Sequence, residues 1–252
     1  DMKRECARQA ARKRQLRQQR GFTLLEVMVA ISITAIIGVG AVQLLSNISE
    51  ASRNTDIRSE QLAGLQRFNQ VITRDLEQFI NRSIRDEYGD TQPSLLLDNG
   101  DYLLEFTRAG WRNSPVANDP RSTLQRVAYR IEPLDSDECE SARLRLEQWG
   151  ETDPKGDCLV RYFWPHLDRS TDIEVQSQVV LEQVVSLTIE LTAETAPTEV
   201  GAQPERTNYD SWPPVSDPNK PEYPIAMRWQ IELPRLGFIE RLWLLAHDKA
   251  DT

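Results

Sequence analysis

FTLLEVMVAISITAIIGVGAVQLL occupies residues 22–45, and Glu26 is its only charge. At about 1.5 Å of rise per residue, a helix of this length reaches about 36 Å, enough to cross a hydrocarbon layer of about 30 Å with some tilt. The segment before it is basic: Lys3, Arg4, Arg8, Arg12, Lys13, Arg14, Arg17 and Arg20 stand against Asp1 and Glu5. In an ordinary secretory signal the apolar run comes before the cleavage site. Here the basic run abuts Gly21-Phe22, so a cut between those two residues leaves the apolar run on the product. The cluster of cations beside the span also reads as a topology signal that keeps this side cytoplasmic.

An ionised carboxylate in a membrane helix costs about 2.5–3.5 kcal/mol on insertion scales, so Glu26 needs a partner. Its place near the helix start also brings it to the positive end of the helix dipole. A snorkelling side chain of no consequence is the plain alternative. Glu26, Ala30, Thr34 and Gly38 recur every four residues, which sets one acidic and three small side chains on one helix face. Small residues at that spacing let a second membrane helix approach closely, so the stripe reads as a helix-packing face. Such residues are also simply common in membrane helices, and that reading stays open. Gly38, Gly40 and Gln43 weaken the far end of the span, where a local unwinding is expected.

Residues 46–60 are polar but free of Pro and Gly, and the apolar period resumes at Leu65, Phe68, Ile72, Leu76 and Phe79. Spacings of three and four mark an amphipathic helix. The simplest arrangement is one helix from Phe22 to about Ser83, spanning the membrane over 22–45 and continuing amphipathically over 46–83. Beyond Tyr88-Gly89-Asp90 the pattern changes to short strand-like runs bounded by turn residues. These are Tyr102–Thr107, Leu124–Ile131, Leu159–Trp164, Val184–Thr192, Ala226–Leu233 and Ile239–Leu245. Strands after one long helix, without alternating helices, predict an α+β head over 84–252 with mostly antiparallel sheet. Residues 193–224 are proline-rich and read as a long surface loop. Trp212 within it is the best candidate for an exposed aromatic anchor, although a tuck onto its own head is as good a reading.

A hydrophobic share of 39% supports a packed core, and a net charge of −9, more negative still without the basic segment, argues against nucleic-acid binding. His166 and His247 are the only histidines, and no HExxH or Cys/His cluster is present. A P-loop, a dinucleotide fingerprint and a GxSxG elbow are equally missing, so neither a metal nor a cofactor nor an enzymatic activity is expected. Asp135, Asp137, Glu138 and Glu140 form the densest acidic patch, but their spacing misses the calcium loop of an EF-hand; a solvated acidic turn is the better reading. Cys6 lies in the basic segment, which leaves Cys139 and Cys158 as an even pair. In a chain with an export signal that suggests one disulfide; two unrelated buried thiols are the alternative.

Arg20-Gly21-Phe22-Thr23-Leu24-Leu25-Glu26-Val27 resembles the class III leader of type IV pilins and type II secretion pseudopilins. The resemblance implies removal of residues 1–21 by a prepilin peptidase, N-methylation of the new terminus on Phe22, and Glu26 as the family's acidic position, there to meet the terminal ammonium of a neighbouring subunit. Further along, Arg74-Asp75-Leu76, Arg85-Asp86-Glu87 with Gly89, Glu105-Phe106-Thr107-Arg108, Gly110-Trp111-Arg112-Asn113, Leu124-Gln125-Arg126-Val127, Arg161-Tyr162 and Leu167-Asp168-Arg169 are similar to the J pseudopilins of type II secretion. That resemblance implies a pilin-like fold and a structural, non-enzymatic subunit at the tip of the secretion pseudopilus, where it helps initiate assembly and protein export. It implies a single-pass inner-membrane anchor with the head in the periplasm. The implied partners are the minor pseudopilins I, K and H, the major pseudopilin G and the peptidase. A minor pilin of a type IV pilus and a membrane-tethered periplasmic binding domain are the competing readings. The family joins the strands corresponding to Leu124–Ile131 and Leu159–Trp164 by a tight turn, whereas here about 27 residues intervene. An inserted hairpin stapled by a Cys139–Cys158 bond is expected, worth about 3 kcal/mol in the chain-entropy picture.

Overall fold

The structure is a computed structural model and describes residues 21–86, 88–110, 123–167, 174–195, 203–214, 221 and 223–245. Residues 1–20, Trp111, Arg112, Asn113, Asp168, Arg169 and His247 lie outside the described residues. Helix α1 runs from Leu24 to Glu77, and the chain divides into two units after Arg58. The first unit is helical from Leu24, and its apolar side chains, among them Leu25, Met28, Ile36 and Leu45, are exposed along the whole run. The helix is continuous through Gly38, Gly40 and Gln43, so the local unwinding expected there does not occur; two glycines weaken a helix without breaking its hydrogen bonds.

The second unit is a head that begins at Ser59. Its share of α1 buries Phe68, Ile72 and Leu76, the stripe legible in the sequence. The helix stops at Glu77, about two turns short of Ser83. The reason lies in the next strands: the amide of Ala109 donates to the Gln78 carbonyl (2.8 Å), that of Ile80 to the Thr107 carbonyl (3.1 Å), and Phe79 bridges Arg108. Backbone groups that could have continued the helix are thus satisfied by a sheet. Phe79 keeps its place in the core from this extended conformation.

A hairpin of β1 (Ile84–Arg85) and β2 (Thr91–Gln92) follows. Next come β3 (Leu95–Leu97), β4 (Leu104–Arg108), β5 (Gln125–Glu132), β6 (Asp157–Trp164) and β7 (Gln176–Val184), which pair antiparallel in that order as a five-stranded sheet. At Val185 the chain leaves this sheet for a four-stranded one of β8 (Ser186–Thr195), β9 (Glu205–Tyr209), β10 (Pro224–Leu233) and β11 (Gly237–Leu244), ordered β11-β10-β8-β9 and also antiparallel. The α+β class and the antiparallel pairing follow the sequence reading. One core joins α1 to both sheets, with Trp229 at its centre against Phe68, Tyr129 and Trp243 at ring separations of 5.9, 5.4 and 6.2 Å.

Two further expectations need correction, and one open alternative is decided. The connection between β5 and β6 holds no hairpin: a 3₁₀ turn at Asp137–Cys139 leads into helix α2 (Glu140–Gln148). The sequence ESARLRLEQ has no β-branched residue and is rich in strong helix formers, with an acid in its first turn. The proline-rich stretch 193–224 is no simple loop, because it contains the end of β8 and all of β9, and the latter pairs with the former from Leu191↔Tyr209 to Thr195↔Glu205. Trp212 is buried, edge-on to Tyr209 at 5.7 Å, and its backbone pairs with Leu97, so it is no exposed anchor.

The β1–β2 turn is closed by Asp86, whose carboxylate accepts from Gln92 (3.1 Å) and from the amides of Tyr88 (3.0 Å) and Asp90 (2.8 Å). The Gln92 bond, then those of the backbone, hold its pKa below the ordinary carboxylate value. A depressed folded pKa means that the contribution is present above the unfolded value and is lost as pH falls through the folded one. The amide resonances of Tyr88 and Asp90 are expected to hold their positions down to about pH 4 and move together below it, and Asp86→Ala should abolish that step.

Candidate functional site

The start of α1 is built by the sequence Thr23-Leu24-Leu25-Glu26. The Glu26 amide donates to the Thr23 hydroxyl (3.2 Å), while the Glu26 carboxylate accepts from the Thr23 amide (3.4 Å) and hydroxyl (3.5 Å). This reciprocal capping box satisfies donors that a helix N-terminus leaves open, and it places the carboxylate on the positive end of the dipole. Glu26 therefore has a partner inside its own chain, one turn from Phe22. Gly21 and Phe22 are exposed and precede the helix, so the peptide bond between them lies outside it.

Ala30, Thr34 and Gly38 are exposed one above the other on α1. The Thr34 hydroxyl donates to the Ala30 carbonyl (2.8 Å), as the Ser32 hydroxyl does to Met28 (2.8 Å). With their hydroxyls satisfied within the helix, these residues present no unpaired donor to hydrocarbon. Open space surrounds Gly38 and Gly40. Among the described residues, α1 is the one helix long and apolar enough to cross a membrane, and none of its most apolar window is buried.

In the head, the charged residues of the sequence patches converge. Asp75 sits in the apolar stripe of α1 and is almost fully buried. Arg161 of β6 reaches it twice, Nε to Oδ2 at 2.6 Å and Nη2 to Oδ1 at 3.2 Å. The Tyr129 hydroxyl of β5 donates to Oδ2 (2.7 Å), and Arg108 of β4 pairs with Oδ1. Three adjacent strands thus meet one carboxylate on the helix. Burial, then the charge of Asp75, pushes the Tyr129 phenol pKa well above its ordinary value. Burial works most strongly against the charge on Arg161, but Asp75 and Tyr129 together outweigh it and raise the guanidinium pKa. A second buried pair joins Arg126 of β5 to Glu105 of β4 at 2.7 Å, and the same guanidinium binds the carbonyls of Pro93 (2.8 Å) and Ser94 (2.9 Å). Asp75, Glu105, Arg108, Arg126, Tyr129 and Arg161 are all buried, so both clusters lie inside the head.

Cys139 and Cys158 form a disulfide with a Cα–Cα distance of 6.0 Å, both buried against Ala142, Val160, Tyr162 and Trp164. Among the described residues no group of three or more His, Cys, Asp and Glu side chains is arranged to hold a metal ion, the Asp135–Glu140 patch included.

A family model described as "Type II secretion system (T2SS), protein J" matches residues 43–245, and a prokaryotic N-terminal methylation motif matches residues 16–42. The chain belongs to the type II secretion system protein J family. Its members are minor pseudopilins, structural components of the secretion system and not enzymes. The protein J of Escherichia coli is 28% identical over 234 residues, covering 91% of this chain and 97% of that protein. The Vibrio cholerae protein J is 35% identical over 117 residues, 44% of this chain and 52% of its own length. Among solved structures, a chain of the GspK-GspI-GspJ complex from enterotoxigenic Escherichia coli matches with a TM-score of 0.50 and 25% identity, covering 75% of this chain and 99% of its own.

The quoted patches Arg74-Asp75-Leu76, Glu105–Arg108, Leu124–Val127 and Arg161-Tyr162 supply Asp75, Glu105, Arg108, Arg126 and Arg161 to the buried ion clusters. Sequence reasoning singled out the patches but not their meeting point. The available signal was a charged residue inside an apolar helical stripe, Asp75 beside Ile72 and Leu76. Asp75→Ala leaves two buried arginines without their anion and is expected to destabilise the head by about 3–5 kcal/mol in urea unfolding followed by Trp fluorescence. Arg206→Ala, which breaks the exposed pair with Glu194, should cost under about 1 kcal/mol.

Proposed function

We propose that this chain is a tip subunit of the type II secretion pseudopilus, helping to initiate pseudopilus assembly and thereby protein export across the outer membrane. The observation that carries the reading is the pairing of two family matches in one chain, the methylation motif over 16–42 and the protein J region over 43–245. In this account a prepilin peptidase cleaves between Gly21 and Phe22, and Phe22 becomes the N-methylated terminus. Residues 22–45 then anchor the product in the inner membrane in a single pass, with the head from Ser59 onward in the periplasm. The basic segment is the side that stays cytoplasmic.

The capping box refines the role of Glu26. Its carboxylate is already held by Thr23, and the new ammonium on Phe22 would stand beside the same group. A filament contact through Glu26 then starts from an ordered carboxylate and needs no search for a rotamer. Ala30, Thr34 and Gly38 form the face for a second membrane helix, on which backbones can approach closely. The partners in this reading are pseudopilins I and K, which assemble with the protein J of Escherichia coli in the solved complex, together with pseudopilin H and the major pseudopilin G. The head's disulfide suits an oxidising compartment.

Co-expression of the full chain with its peptidase and with pseudopilins I and K, followed by detergent extraction, tests both halves of the proposal. Mass spectrometry is expected to find a product that begins at methylated Phe22, and light scattering to find a stoichiometric complex of the three. An uncut chain would refute the processing site. A processed protein J that stays monomeric with both partners present would refute the tip assignment.

A further inference from the structure

The segment 133–156, which separates β5 from β6, touches more of the head than its own disulfide requires. Helix α2 has nine residues and buries only Ala142 and Leu146. Helices shorter than about 12 residues are marginal by themselves, so α2 depends on what holds its ends. At its start the Cys139–Cys158 bond ties it to β6. From its last turn onward it grips other elements. Arg145 pairs with Glu182 of β7, and that carboxylate lies against Gly64 of α1, where an added Cβ would stand 3.6 Å from Oε2. The indole of Trp149 donates to Glu60 of α1, on the same helix face one turn before Gly64. Glu151 pairs with Arg235 in the β10–β11 turn. The segment closes with Gly156 at φ 81°, where a Cβ would stand 2.2 Å from the Val184 carbonyl oxygen, so the return into β6 is fixed by backbone contact.

The core reaches this part of α1 only through the half-buried Leu65. Between residues 59 and 67 only Gly64 is buried, and continuous apolar burial of the stripe begins at Phe68. A shallow surface cleft is lined by Gln61 and Leu65 of this stretch together with Trp149, Leu181, Leu233 and Leu236. We propose that segment 133–156 is a disulfide-anchored clamp on α1, which holds the helix turns between residues 59 and 67, where the core's own hold is limited to Leu65. Its three grips fall on α1, on the five-stranded sheet and on the β10–β11 turn, so the clamp ties these turns to both sheets at once.

Hydrogen exchange on the full chain in detergent micelles tests this directly. Trp149→Phe removes the bond to Glu60 and keeps the ring; exchange over 59–66 is expected to rise about three- to tenfold, with 72–77 unchanged. Replacing both Cys139 and Cys158 by Ser is expected to speed exchange over 137–149 and over 59–66 together. The proposal is overturned if Trp149→Phe leaves 59–66 at the wild-type rate, or if the cysteine variant loosens 137–149 alone. Equal acceleration of 59–66 and 72–77 would also overturn it, since that marks general destabilisation. Trp149→Phe decides the matter even if the cysteine variant does not accumulate.

Discussion

The Asp75 carboxylate is the point on which the head depends. A carboxylate placed in the apolar face of a helix cannot remain there alone, because desolvation of an unpaired ion costs several kcal/mol. Here it is met by Arg161, Arg108 and the Tyr129 hydroxyl, which come from three neighbouring strands. Apolar packing by itself would accept Ile72 or Leu76 in slightly shifted positions on the sheet. The ion cluster does not, since a displacement of one residue along α1 would strand an anion on the wrong side and two cations without a counter-charge. The cluster therefore sets the register of α1 against the five-stranded sheet, and the aromatic packing of Tyr129 on Trp229 carries that register into the second sheet.

The two units of the chain have opposite physical requirements. From Leu24 to Arg58 the apolar side chains of α1 are exposed, and Ser32 and Thr34 bond back to their own helix, as suits a segment whose surroundings are lipid or other helices. From Ser59 the same helix becomes part of a conventional head, with a main core shared by two antiparallel sheets and a second cluster around the disulfide. The capping box at Thr23 and Glu26 belongs to the first requirement. It keeps a carboxylate in an apolar segment by giving it the open amide and hydroxyl of its own helix end.

Much of this was legible in the sequence, and the misses have physical causes. The apolar stripe from Leu65 to Phe79 announced α1, and alternating runs announced β4, β5, β6, β8, β10 and β11. Strand β7 was invisible because QSQVVLEQV mixes polar and apolar residues without alternation, one end being exposed and the other buried. Strand β9 was hidden in a proline-rich stretch, where Glu205–Tyr209 has little apolar content and is held by backbone pairing to β8. The end of α1 was misjudged because tertiary partners settle it, the Thr107 and Ala109 backbone. The helix over Glu140–Gln148 was legible in the strong helix formers of ESARLRLEQ and was missed. The charged members of the buried clusters stood in the quoted patches, but their convergence is a property of strand register, which a single sequence does not display.

The claim that Asp75 sets the register as one unit with its partners is tested most directly by a double-mutant cycle of Asp75→Ala and Arg161→Ala, with stability measured by urea unfolding of the full chain in detergent. If the cluster acts as a unit, the double variant falls short of the summed single losses by at least about 1 kcal/mol, because each single change strands the charge that the other removes. Losses that add to within about 0.5 kcal/mol would mean that the two residues act independently, and would contradict the account.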